Sequence, residues 1–151
     1  MKNSNFDQLV EIMRILRSER GCPWDKEQTL KTLKPFLVEE CYEVWEAVDE
    51  GNPSKLKEEL GDLLFQIVFY AQVTQEQWGF NIYDVIDTVK TKMVRRHPHV
   101  FGEVKVKDSD EVLVNWEEMK KKERGVQSSI LDGVPKNLPA LLRAHRIQEK
   151  A

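Results

Sequence analysis

Apolar residues recur at helical spacing along almost the whole chain. Phe6, Leu9, Val10, Met13 and Leu16 fall at three- and four-residue steps, the stripe of an amphipathic helix, with Gly21 as its expected stop. A loop over Pro23, Trp24 and Asp25 follows. Pro35 suits a first helical position and opens a second helix that runs to about Glu50. Gly51-Asn52-Pro53 is a turn in which Asn52 caps a third helix, from Pro53 to Trp78, closed by Gly79. Beyond Asp62 that helix is apolar nearly all round, the mark of a central, buried helix. Asn81 caps a fourth helix with the stripe Ile82, Val85, Ile86, Val89 and Met93, and Pro98 brings it to an end. Asp108 with Glu111 forms a capping box for a fifth helix to about Arg124, stopped by Gly125. Residues 126–138 are a loop of turn formers, and residues 139–151 begin a sixth helix. The alternation Val104-Lys105-Val106-Lys107 is too short to establish a strand. The expected fold is all-α.

A chain of 151 residues fits one domain with a real core. Residues 1–138 are expected to form that domain, and 139–151 the start of a truncated helix or a linker. A net charge of −3 does not suit a protein that coats nucleic acid. The longest apolar run, Leu63 to Ala71, is interrupted by Gln66 and is too short to span a bilayer. No apolar segment follows Met-Lys-Asn-Ser-Asn at the start, so no secretory signal is expected. Cys22 and Cys41 form neither a disulfide framework nor a metal-type spacing and are expected as buried thiols. A cytoplasmic, reducing setting is the default, with neither membrane nor nucleic-acid polymer as partner.

The chemistry concentrates between Glu39 and Asp62, where nine acidic residues stand against only Lys55 and Lys57. Leu37, Cys41, Val44, Trp45 and Val48 make the apolar face of the second helix, and Glu40 lies about 40° from Val44 on the helical wheel. Glu43 lies one turn on, while Glu39, Glu46 and Glu50 sit farther from the apolar edge. On the third helix Glu59 and Asp62 share a side with Gln66, Phe69 and Val73. The tight turn makes the two helices antiparallel neighbours. Glu43 precedes Asn52 by nine residues and Asp62 follows it by ten, so the two acidic pairs stand at about one height. A single glutamate on a helix is usually solvated surface. Two i,i+3 acid pairs meeting across one turn would repel in a half-buried seam unless a cation neutralised them. All-oxygen ligation suits a hard divalent ion such as Mg²⁺ or Mn²⁺. A ferritin-like di-iron bundle is excluded, because none of His97, His99 or His145 has a glutamate three residues before it.

Glu39-Glu40-x-x-Glu43, followed by Glu59-x-x-Asp62, resembles the signature of MazG nucleotide pyrophosphohydrolases, members of the all-α nucleoside triphosphate pyrophosphatase superfamily. Cys22-Pro23-Trp24-Asp25 with Gln28-Thr29, the block Arg95-Arg96-His97-Pro98-His99-Val100-Phe101-Gly102, and Leu138-Pro139-Ala140-Leu141 are similar to the amino-terminal MazG domain. The resemblance implies metal ligation by Glu40, Glu43, Glu59 and Asp62, a nucleoside triphosphate substrate, a pyrophosphate product and a homodimer. It also implies nucleotide contacts from Lys55 and phosphate contacts from Lys92, Arg95 and Arg96, cations of the kind a polyphosphate requires. Many members carry a second copy of the domain, and this chain stops where the connection to it would begin.

The expected reaction is metal-assisted hydrolysis between the α and β phosphates, with Mg²⁺ as cofactor and Mn²⁺ as a substitute. Glu39 is the candidate for orienting the attacking water, with Glu43 bridging metals. Trp24, Phe69 and Trp116 are candidates for lining the base end of the cleft. Competing readings are a narrower activity, dUTPase-like or phosphoribosyl-ATP pyrophosphatase-like, and a non-catalytic module that binds nucleotide or dimerises.

Overall fold

The structure, a computed structural model, describes residues 4–124 and 134–149. It divides into two compact units, Met1–Lys90 and Thr91–Ala151. All regular structure among the described residues is helical, and Val104–Lys107 is not a strand.

In the first unit, α1 (Asn5–Leu16) starts at a capping box. The Ser4 hydroxyl accepts from the Asp7 amide, and the Asp7 carboxylate accepts from the Ser4 amide at 3.0 Å. The same carboxylate accepts a hydrogen bond from the Tyr83 hydroxyl at 2.7 Å, which ties α1 to the start of α5 (Ile82–Arg96). Helix α1 ends at Leu16, five residues before Gly21. Rather than stopping the helix, Gly21 lets the chain fold back on it, so that the Cys22 amide donates to the Leu16 carbonyl at 2.8 Å. A Cβ on Gly21 would lie 2.1 Å from that carbonyl oxygen, so only glycine fits. The loop expected at Pro23 is instead the short helix α2 (Pro23–Glu27), with proline at its first position.

Helices α3 (Lys34–Asp49) and α4 (Pro53–Trp78) form an antiparallel hairpin and pack on each other more extensively than any other pair. Gly51, at φ +61°, makes the turn, and the Asn52 side chain accepts from the Ser54 and Lys55 amides. The core below joins Met13, Leu33, Val68, Phe69, Ala71, Val73 and Ile82. Helix α4 is buried on one side only: Leu60, Leu64 and Ile67 remain exposed, against the expectation of burial all round. Along α3, Cys41, Trp45 and Val48, expected on the inward face, are exposed too, and the fully buried residue is Ala47.

Arg17 fastens this unit. Its side chain is 7% exposed, grips the Glu76 carboxylate with two nitrogens, donates to the Asp25 and Gln28 carbonyls, and lies over the Phe69 ring. One guanidinium thereby joins the end of α1, the end of α2 and the last turns of α4.

The second unit holds the end of α5, the single turn α6 (Pro98–Phe101), α7 (Ser109–Arg124) and α8 (Ala140–Gln148). Pro98 does stop α5, and it then opens α6. The Glu111 amide donates to Asp108 as expected, but the Glu111 carboxylate reaches back one residue further, to the Lys107 amide. The expected stop at Gly125 and residues 126–133 of the expected loop lie outside the described residues. Helix α8 corresponds to the sixth expected helix.

Arg17→Ala should cost roughly 2–3 kcal/mol in urea unfolding, below the cost for a fully buried pair because Glu76 is partly solvated. Arg17→Lys should recover only part of it, since an ammonium cannot serve a carboxylate and two carbonyls in the same plane. An unchanged midpoint for Arg17→Ala would refute this role.

Candidate metal centre

Two interlocking series of positions explain how the acids meet. On α3, Leu33, Phe36, Glu40, Glu43 and Ala47 advance in steps of three and four; on α4, Glu59, Asp62, Gln66, Phe69 and Val73 do the same. Such series form the facing seam of two packed helices. Leu33, Phe69 and Val73 are buried, with Phe36 packed against them, and Ala47 is buried towards the turn. The carboxylates take the seam positions between these apolar groups, where side chains of the two helices must face each other.

Glu40, Glu43 and Glu59 offer one ligand oxygen each, all within 4.8 Å of one another. Asp62 stands outside that triad and is exposed, but its charge acts on both Glu40 and Glu59. Burial, then the charges of Glu43 and Asp62, push the Glu40 carboxyl above its ordinary range. Burial, then the charges of Glu43, Glu58 and Asp62, do the same to Glu59. Three carboxylate oxygens at this separation form a donor set for a hard divalent cation. A second feature fits the same group: Gln66 draws the Glu40 carboxyl down against burial and its acidic neighbours, and its Oε1 is buried with no partner among the described residues. In the sequence Gln66 stands out only as a break in an apolar run and as a neighbour of the acids. Its spacing of four from Asp62 and seven from Glu59 is the signal that it belongs to their row.

The other expected site residues are not members of the triad. Glu39 is exposed and is not a member of the triad. The Lys55 ammonium bridges Glu50 at 2.8 Å and Glu46 at 3.5 Å, and its charge also reaches Glu59. In the second unit, Lys92 is partly buried. Arg95 and Arg96 both pair with Glu123 of α7, Arg95 at 2.6 Å. The Arg96 hydrogen bonds, chief among the causes, hold the Glu123 carboxyl down at about 2. Arg96 also lies over the Trp116 ring at 5.4 Å, and the His97 ring meets the same indole edge-on at 4.7 Å. Sequence analysis did not single out Glu123; no local spacing announces a partner 27 residues away. Of the three aromatic candidates, Phe69 is core, Trp24 is half-exposed and edge-on to Phe36, and Trp116 belongs to the arginine–histidine cluster.

Residues 28–101 match the MazG nucleotide pyrophosphohydrolase domain. The chain is 48% identical over 150 residues to the nucleoside triphosphate pyrophosphohydrolase of Escherichia coli K12, covering 97% of this chain and 57% of that protein. It is 49% identical to the nucleoside triphosphate pyrophosphohydrolase/pyrophosphatase MazG of Thermotoga maritima, covering 97% of this chain and 56% of that one. It is 51% identical to the uncharacterized protein YabN of Bacillus subtilis, covering 95% of this chain and 30% of that protein. The crystal structure of a mazG-related protein from Thermotoga maritima superposes with a TM-score of 0.64 at 35% identity, covering 76% of this chain and 97% of that one. The chain belongs to the MazG family. It spans little more than half the length, or less, of these curated relatives. No described helix is long and apolar enough to cross a membrane.

Raised carboxyl pKa values mean that the metal-free folded chain binds those protons more tightly than the unfolded chain. Its stability should therefore fall as pH rises from the ordinary glutamate value through the raised one. Glu40→Gln or Glu59→Gln should flatten that fall, leave metal-free stability at pH 7 equal or higher, and abolish the rise in Tm that Mn²⁺ gives the parent chain. Thermal unfolding across pH, with and without Mn²⁺, measures all three. An undiminished Mn²⁺ response in both variants would remove these residues from any metal site.

Proposed function

We propose that the chain hydrolyses nucleoside triphosphates to monophosphate and pyrophosphate, with Mg²⁺, or Mn²⁺ in its place, held by Glu40, Glu43, Glu59 and Asp62. The observation that carries this reading is the convergence of carboxylates from two helices in the hairpin seam, three of their oxygens lying within 4.8 Å. The relatives named for this activity support it. A divalent cation at such a centre supplies charge neutralisation for phosphate oxygens and acidification of water.

The remaining roles belong to the chain itself. Glu40 and Glu59, partly withdrawn from water, define the inner side of the centre, while exposed Asp62 closes its outer side. Glu39 orients the attacking water, and Glu43 serves both that alignment and metal ligation. Lys55 contacts the nucleotide from the mouth of the hairpin; it is already held by two acids and shares donors rather than creating a new charge. Lys92, Arg95 and Arg96 contact the polyphosphate. Arg95 is 59% exposed on its side chain and open to a ligand, whereas Arg96 is 15% exposed and committed to Glu123.

The outward apolar stripe of α3 (Val38, Tyr42, Trp45, Val48) and that of α4 (Leu60, Leu64, Ile67) are too extensive for water to be their natural neighbour. They support a homodimer built on these helices.

Incubation of the chain with a nucleotide panel and Mg²⁺ should yield monophosphate and pyrophosphate. Release of diphosphate and orthophosphate instead would overturn the reaction assignment. Glu40→Gln, Glu43→Gln, Glu59→Gln and Asp62→Asn should each remove most turnover; retention in any two would overturn the site. Arg95→Ala should lower kcat/KM roughly ten- to hundredfold with little change in Tm. Arg96→Ala should lower both kcat/KM and Tm, because it also strands Glu123. Unchanged kinetics in both would make the two arginines purely structural. Sedimentation at micromolar concentration should show a dimer, and a stable monomer would refute the assembly.

A further inference from the structure

Gln66 has a role that the four acids do not explain. It is 8% exposed, on the same α4 row as Glu59 and Asp62, and its Oε1 has no hydrogen-bond partner among the described residues. A buried amide oxygen left unpaired costs free energy, and an apolar side chain of equal volume would remove that cost. Its neighbours along the row, Phe69 and Val73, are apolar and core-packed, so position 66 would accept methionine or leucine on packing grounds alone. The amide also acts on Glu40, drawing that carboxyl down as a hydrogen-bond donor does. An ionised carboxylate only accepts, so the Nε2 end faces Glu40 and the Oε1 end is the one left over.

We propose that Gln66 is a positioning residue of the metal centre, which holds Glu40 through Nε2 and receives on Oε1 a hydrogen bond from water carried in with the divalent cation. This rests on the metal-centre reading above. Hard divalent ions, Mg²⁺ above all, keep part of their hydration shell when bound by a few carboxylates. Such water has protons to give and needs buried acceptors, and Gln66 supplies one. A glutamate at position 66 would add a further negative charge beside Glu40, whereas the amide offers a donor and an acceptor at no charge. Groups that orient metal ligands in this way typically govern affinity by ten- to hundredfold.

The test uses the full chain without nucleotide and reads metal binding by calorimetric titration with Mn²⁺. Gln66→Met should weaken Mn²⁺ binding roughly ten- to hundredfold while leaving the metal-free Tm unchanged or raised. Glu59→Gln, measured beside it, reports on the centre itself. Weakening by Glu59→Gln with no change from Gln66→Met would overturn the role of Gln66 and leave the metal centre standing. No change from either variant would overturn both. If Gln66→Met does not fold, the unsubstituted chain still decides: the Gln66 side-chain amide signals in ¹⁵N spectra should shift on saturation with Mg²⁺. Stationary Gln66 signals, alongside moving backbone amides near Glu59, would refute the proposal.

Discussion

The structure turns on placing charge where a helix pair ordinarily places leucine. Antiparallel helices joined by a tight turn must bring their seam residues face to face. In the α3–α4 hairpin the half distant from the turn obeys the usual rule, with Leu33 and Phe36 from one helix and Phe69 and Val73 from the other. Nearer the turn the same geometric positions are Glu40, Glu43, Glu59 and Asp62. Backbone geometry, set by Gly51 and the Asn52 cap, makes Glu40, Glu43 and Glu59 meet whatever their charge prefers. Burial first, and that repulsion after it, raise the pKa values of Glu40 and Glu59, and both costs are tolerated because the apolar half of the seam and the core beneath it supply the folding free energy.

The boundaries of the hairpin were legible because they depend on residues with one local meaning. Asn52 followed by Pro53 opens α4, Gly79 closes it, and Pro35 sits in the first turn of α3. The orientation of α3 was not legible by the same route. An amphipathic reading assigns the apolar stripe to the inside, which placed Cys41, Trp45 and Val48 inward. In this hairpin the acids and Ala47 face the partner helix, and the richest apolar stripe faces out. The acid pairs themselves were found through their heights above the turn, an argument that does not depend on which stripe is buried. The convergence of Glu40, Glu43 and Glu59 is therefore legible in the sequence even though the apolar stripe of α3 does not face inward.

What remained hidden depends on long-range partners. Arg17 and Glu76 lie 59 positions apart, and Arg96 and Glu123 lie 27 apart, so no periodicity or capping rule couples them. The block Arg95-Arg96-His97 showed as a motif, but its local structure did not. Pro98 opens a single turn, and Trp116 receives both the Arg96 guanidinium and the edge of the His97 ring. Glu123 holds the two arginines differently: Arg96 is gripped through two of its nitrogens and largely withdrawn from water, while Arg95 pairs with it from a more exposed position. Adjacent residues of identical type thus sit in different surroundings, a distinction invisible in a pair of letters.

The two ends of α4 are held by different forces. Its last turns are fixed by Arg17 on Glu76, by the Phe69 and Val73 packing, and by Thr74, whose hydroxyl donates to the Ala71 and Phe80 carbonyls. Its first turns have the Asn52 cap and the Lys55 bridges to Glu46 and Glu50, but their seam contacts are mutually repelling acids. A cation at those acids would therefore contribute more than chemistry. It would convert the repelling stretch of the seam into an attractive one, and the free energy of ion binding would become local stability of the hairpin tip. The rigid far end matters to that exchange, since ligands on a fixed helix need little rearrangement to close around an ion. The apolar seam thus sets the carboxylates in place without an ion, and the repulsion that this preorganisation stores is what ion binding would release.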